Sequence, residues 1–236
     1  MNLLRHVRRL AHLAPAALLT LAAVTAPALA QEPIRIGSFL SVTGPASFLG
    51  DPELKTLELY VERLNAAGGV NGRKLQLTAY DDAGDAEKAR TFAKRLLEQD
   101  KVDVIVGGST TGTTMAAVPL VEQAGVPFVS LAGAVVIVEP VKKWVFKTPH
   151  TDRMACDKIF VDMKARGVTK AALISGSGGF DKSMRAECLK VAPNHGVAIV
   201  ADETYGATDT DSNEHIYTGS RAGDRVLGGP GRDRCR

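Results

Sequence analysis

The chain has 236 residues, 45% of them hydrophobic and 23% charged, with a formal net charge of +3 at pH 7. Its first thirty residues hold three arginines and no acid, so the remainder is formally neutral, and residues 31–211 are slightly acidic. A near-neutral body without clustered Lys and Arg excludes partners recognised mainly by charge, such as nucleic acid or an anionic membrane surface.

Arg5, Arg8 and Arg9 make a basic start, LAPAALLTLAAVTAP is apolar, and Ala28-Leu29-Ala30 has the small-x-small pattern of a cleavage site. Residues 1–30 therefore read as a secretory signal peptide. Pro15 and Pro27 interrupt the run, which is too short to cross a bilayer comfortably, and this sets aside a membrane anchor. No cysteine stands at the cleavage site to take a lipid.

From Pro33 strand and helix patterns alternate. IRIGSFL is a strand, and Asp51-Pro52-Glu53 has the chemistry of a helix start: Asp as cap, Pro in the first position and Glu favoured by the helix dipole. Leu54, Leu57, Val61 and Leu64 recur at helical spacing until Gly68-Gly69. KLQLTAY is the second strand. Asp85 caps a second helix whose apolar stripe includes Ala89, Phe92, Ala93, Leu96 and Leu97. VDVIVGG, nearly all apolar, is the third strand, of the kind covered on both faces in a parallel sheet. A third helix follows Gly112 and ends at Gly125, and VPFVSLA is the fourth strand. Strands joined by crossover helices make an α/β, doubly wound parallel sheet.

A second lobe is placed from KKWVFKTPHTD onward, with Trp144 to Lys147 as its first strand and Thr151 or Asp152 capping a helix to about Arg166. KAALIS, a turn and helix over GGFDKSMRAECLKVA, and GVAIVADETY follow, so only part of a second α/β lobe is built. After Asp211 the chain has five Gly and five Arg in 25 residues and no apolar period. This segment reads as a solvated tail or, by preference, as translation of a different frame. The expected divisions are 1–30 signal peptide, 31–143 first lobe, 144–211 partial second lobe and 212–236 tail.

Val106 to Thr114, VGGSTTGTT, places five hydroxyls and three glycines at a strand end. A phosphate-binding loop would need a Lys in reach, and Met115-Ala116-Ala117 follows instead. GSGGFDKS, from Gly176 to Ser183, fits G-x-x-x-x-G-K-[ST] except at Asp181, whose charge repels phosphate; Asp181 is expected to cap the next helix. Ser175 to Gly179 misses a nucleophile elbow around Ser177 by one residue. His150 and His195 belong to no triad pattern, and His195 reads as a surface loop residue. No His/Cys/carboxylate cluster has metal-ligand spacing. Cys156 and Cys188 could pair if their helices are neighbours, but two small buried apolar side chains are the expected state.

Ligands of open α/β sheets bind beyond the carboxyl ends of the strands, where backbone N–H groups and hydroxyls suit a carboxylate. Three loops qualify: Phe39 to Gly50, Ser109 to Thr114 and Ser130 to Ala134. GSFLSVTGPASFLGDPE, NAAGGVNGRKLQLTAYDDAGD, VGGSTTGTT, VPFVSLAGA and WVFKTPHTD, in this order, resemble the branched-chain amino-acid binding proteins of ABC transporters from about Ile34 to Asp211. The resemblance implies a type I periplasmic-binding-protein-like fold: a Rossmann-like doubly wound lobe and, here, an incomplete second one. It places the ligand's carboxylate on the Thr111 hydroxyl, with Thr110 beside it, and on the backbone of Ala132, Gly133 and Ala134. Phe180 maps to the family's aromatic residue at the second lobe's mouth. Leu49, with Phe48 beside it, stands where amino-acid binders carry tyrosine, which opens the choice of ligand to aromatic or aliphatic carboxylates. The family's ammonium-pairing acid lies beyond Asp211.

The implied function is that of the periplasmic solute-binding component of an ABC importer. Its ligand is a branched-chain amino acid or related small carboxylate, its partner an inner-membrane permease, and no cofactor, metal or catalysis is expected. Binding is expected to be impaired by the unfinished second lobe. The alternatives are a ligand-sensing module of the same fold or, further off, a P-loop-like nucleotide-binding enzyme.

Overall fold

The structure, a computed structural model, describes residues 31–206, residue 209 and the backbone of residues 225–228. The proposed signal peptide, and the tail outside 225–228, lie outside the described residues.

The first sheet has five parallel strands in the order β2-β1-β3-β4-β5: β1 (Ile34–Leu40), β2 (Leu75–Asp81), β3 (Val104–Gly107), β4 (Phe128–Ser130) and β5 (Val145–Lys147). Three helices connect them: α1 (Ser47–Ala66), α2 (Ala86–Glu98) and α3 (Thr111–Ala124). α2 packs on α3 and on β1, whereas α1 packs on β1 and β2. Val106, Val129 and Phe146 lie in register across β3, β4 and β5. Val106 faces the α1 side, where it shares a groove with Leu57 and Tyr60, and at the far end of the row Phe146 remains 52% exposed. The core lies mainly between the sheet and α2/α3, with Phe39, Leu96, Ile105, Val121 and Phe128 fully buried. Phe39 and Phe128 meet at 5.5 Å between ring centroids.

The sequence expectation differs at two places here. α1 starts at Ser47, before Asp51, with Ala46 as its cap and Pro52 inside it. The early start brings Gly50 against the β1 strand end: a Cβ there would stand 2.2 Å from the Ser41 carbonyl, so only glycine fits. Val145–Lys147 does not open the second sheet. Its pairing with Phe128–Ser130 makes it the edge strand of the first, and short apolar strands carry no local signal of which neighbour they will take.

The second sheet has β7 (Ala198–Tyr205), β6 (Lys170–Gly176) and β8 (Arg225–Gly228), in that order and parallel. β8 draws four residues of the expected tail into a sheet. α4 (Asp152–Ala165) and α5 (Gly179–Val191) pack together beside β6, and Thr151 caps α4 by accepting from Met154 N. Phe160, Met163, Leu173 and Val197 form the core of this part. Cys156 of α4 and Cys188 of α5 form a disulfide, with Cα atoms 5.0 Å apart. This corrects the expectation of two free buried thiols: packing of α4 on α5 brings together cysteines 32 residues apart.

Candidate functional site

β3 ends at Gly107, and Gly108, with φ +71°, turns the chain so that its N–H donates to Phe39 O at 2.8 Å. The five hydroxyls that follow are not equivalent. Ser109 Oγ donates to Glu53 Oε2 at 2.5 Å. Thr110 caps α3 by accepting from Thr113 N at 3.2 Å, and Thr113 answers by accepting from Thr110 N, a reciprocal capping box. Thr114 Oγ1 donates to Gly108 O at 3.0 Å and lies 2.9 Å from Ser130 Oγ. Thr111, the first helical residue, is 4% exposed, and its Oγ1 is buried without a hydrogen-bond partner. A buried hydroxyl left unpaired costs about 1–3 kcal/mol, and this one sits where the α3 dipole and free N–H groups favour an anion.

The loop after β4 is held in place from both sides. Leu131 N donates to Gly107 O at 3.0 Å and Ala132 N to Ser130 Oγ at 3.2 Å. Gly133 O accepts from Asp152 N at 3.2 Å and from Lys147 Nζ at 2.9 Å. Ala132 and Ala134 are buried, and Val135 N donates to Asp152 Oδ1 at 2.9 Å. Lys147 also donates to the carbonyls of Pro149 and His150, and burial pulls its pKa below the ordinary lysine value.

The start of α5 meets both loops. A Cβ on Gly179 would stand 3.4 Å from Thr111 Cβ and 3.4 Å from Gly112 N, and a Cβ on Gly133 would stand 3.0 Å from Phe180 Cε2. Thr111, Gly133 and Phe180 thus converge at one seam between the two sheets. Leu49 lies elsewhere: with Phe48, Glu53, Val106 and Leu131 it lines an apolar groove of about 530 Å³ on the α1 side. Its link to the seam runs through Leu131, next to Ala132 in the chain.

The decoys resolve on geometry. Gly178, not Asp181, is the N-cap of α5. The Asp181 carboxylate folds back over the glycine turn, with Oδ2 only 2.7 Å from where a Cβ on Gly176 or Gly178 would be. A carboxylate there takes the place a phosphate would need. His195 is no free surface residue: its Nε2 lies 2.7 Å from Asp157 Oδ1, and its ring stacks 6.4 Å from Phe160. Among the described residues no three His, Cys, Asp or Glu side chains could hold a metal ion, and no helix is long and apolar enough to cross a membrane.

Sequence reasoning missed a polar network behind the loops. Ser41 N donates to Ser109 Oγ at 3.0 Å, Ser41 Oγ donates to Asp82 Oδ1 at 2.7 Å, and Gly84 N donates to the same oxygen at 2.8 Å. Burial raises the pKa of both Glu53 and Asp82 above the ordinary carboxylate values, and for Glu53 the Asp82 charge adds to the rise. Hydroxyls at successive strand ends were the available signal. Their link to Glu53 spans 56 residues and leaves no local trace.

Two Rossmann-like layers whose strand-end loops meet at a seam define the type I periplasmic binding fold. The sequence pattern of the periplasmic binding protein family matches residues 33–216, and the chain belongs to that family. It is 40% identical to the Leu/Ile/Val-binding protein homolog 7 of Brucella abortus (strain 2308) over 124 residues, 52% of this chain and 30% of that protein. It is 28% identical to the leucine-, isoleucine-, valine-, threonine-, and alanine-binding protein of Pseudomonas aeruginosa over 209 residues, 88% of this chain and 56% of that protein. Among solved structures, the branched-chain amino acid transporter substrate binding protein LivJ from Streptococcus pneumoniae, in complex with isoleucine, matches with a TM-score of 0.70. Identity there is 28%, over 78% of this chain and 53% of that one. The chain spans about half the length, or less, of these relatives. They are binding proteins, not enzymes.

Proposed function

We propose that this chain is a solute-binding component of an ABC importer, working in the periplasm after export by residues 1–30. Its ligand is a branched-chain amino acid or a related small carboxylate, held at the seam between the two sheets, and its partner is an inner-membrane permease. One observation carries the reading: of five hydroxyls in the β3–α3 loop, four are consumed internally, and Thr111 Oγ1 alone is buried without a partner at a helix N-terminus. A carboxylate supplies the acceptor that this hydroxyl and the first N–H groups of α3 lack. Gly133 and Phe180 close the seam from the other loop and the other layer, giving an apolar wall beside the polar end. The ligands in the names of its relatives, leucine, isoleucine and valine among them, fit such a pairing of carboxylate and apolar side chain.

Isothermal titration of the chain with leucine, isoleucine, valine and benzoate tests the proposal. Saturable binding of at least one, weakened about tenfold or more by Thr111→Val, supports it. Titrations with all four that stay flat up to millimolar ligand, the range that covers impaired binding, would sink it.

A further inference from the structure

The network behind the ligand loops ties together four segments that the chain order keeps apart. Ser41 follows β1, Asp82 follows β2, Ser109 follows β3, and Glu53 projects from the second turn of α1. Ser109 Oγ sits at the junction: it accepts from Ser41 N at 3.0 Å and donates to Glu53 Oε2 at 2.5 Å. A hydroxyl has one proton to give. With that proton committed to Glu53, Ser109 cannot donate to a ligand, although it stands two residues from Thr111 in the same loop. Asp82, fully buried, fixes Ser41 in turn. Among the described residues no ion pair engages Glu53 or Asp82, so hydrogen bonds alone hold these carboxyls in place.

We infer that Glu53 is a positioning residue for the ligand-holding loop: by accepting the Ser109 hydroxyl it fixes the entry into α3 and leaves Thr111 as the loop's free donor. The inference rests on the function proposed above for Thr111. It makes Glu53 act through Ser109, without touching the ligand. A charge-assisted hydrogen bond is short and directional, which suits this task. Nothing in α1 itself requires a glutamate here, because the dipole it was expected to serve lies at Ser47, a full turn and a half earlier.

Amide hydrogen exchange of residues 105–115 in the ligand-free chain is the direct readout, compared among wild type, Glu53→Ala and Glu53→Gln. The expected result is roughly tenfold faster exchange of this segment in Glu53→Ala. Glu53→Gln, whose amide oxygen still accepts the Ser109 hydroxyl, should stay within about threefold of wild type. Exchange in residues 152–165 should be unchanged in both, which separates loop positioning from general loosening. Equal exchange of 105–115 in wild type and Glu53→Ala, or equal acceleration by Ala and Gln, would overturn the inference. Should Glu53→Ala not fold, Ser109→Ala is expected to accelerate the same segment, and no change there overturns it equally. Titration of the three proteins with leucine, isoleucine, valine and benzoate separates the two readings. If wild type binds none of the four while exchange follows the expected pattern, the proposed function fails and Glu53 remains a loop-positioning residue. If wild type binds and exchange does not respond, only the role of Glu53 fails.

Discussion

Phe180 on α5 lies with its ring edge against Gly133 in the β4 loop, so close that a methyl group on Gly133 would stand 3.0 Å from Cε2. The contact joins the two sheets at the seam beside Thr111. A side chain there would fit only if Phe180 gave way. Gly133→Val is therefore expected to force Phe180 out of place and to destabilise the fold by about 1–3 kcal/mol, the range for overpacking a filled site. Urea denaturation measures this; an unchanged midpoint would show that Phe180 moves aside freely.

Thr111→Val separates stability from binding. Removing an unpartnered buried hydroxyl is expected to leave stability unchanged or raise it by up to about 1 kcal/mol. Affinity for a carboxylate ligand should fall about tenfold to a hundredfold, as befits a lost hydrogen bond to a charged group. A loss of stability above about 1 kcal/mol would mean that Thr111 Oγ1 has an internal partner, which removes the basis of the assignment.

The Cys156–Cys188 bond closes a loop of sequence separation 32. In the chain-entropy account such a loop stabilises by roughly 3–4 kcal/mol, so Cys156→Ala/Cys188→Ala should lower the unfolding midpoint by a corresponding amount. Because α4, α5 and the core around Phe160 are all in the second part, the first protections lost in hydrogen exchange should be those of β6 and β7. Loss appearing first in β1 to β4 would contradict this.

Two sets of carboxyls pull stability in opposite directions with pH. Glu53 and Asp82 have pKa values raised by burial. Their contribution is full below the unfolded values near 4 and is lost as pH rises through the folded values. Glu187 is held below its ordinary value by the Arg153 hydrogen bond, and Asp103 by Arg35. Theirs is full above the unfolded values and is lost as pH falls through the folded ones. Glu187→Gln is thus expected to flatten the acid limb of a stability curve, and Glu53→Gln the decline just above pH ~4. A Glu53→Gln curve that keeps the wild-type slope above that point would refute the burial argument.

The elements with strong periodicity were legible from the sequence. Asp85 caps α2 through Lys88 N, and Gly125 ends α3 in the left-handed conformation, as their positions suggest. Asp51-Pro52-Glu53 misled because its local chemistry marks a helix start, whereas α1 already begins at Ser47 and brings Gly50 against Ser41. The β5 register, the disulfide and the Glu53–Ser109 bond all depend on which elements become neighbours, and no local pattern encodes that. At the proposed site, the strand-end loops were legible in the sequence, whereas the difference between Thr111 and its four neighbouring hydroxyls emerged only from their partners.

Lys147 gathers the carbonyls of Gly133, Pro149 and His150 around one ammonium. Gly133 belongs to the seam, while Pro149 and His150 begin the strand of chain that leads to α4 and the second sheet. Lys147 buckles that strap at its start, and Asp152, whose N–H donates to the same Gly133 carbonyl, buckles it at its end. The passage from one sheet to the next therefore has no slack of its own: its course is set by the loop it crosses.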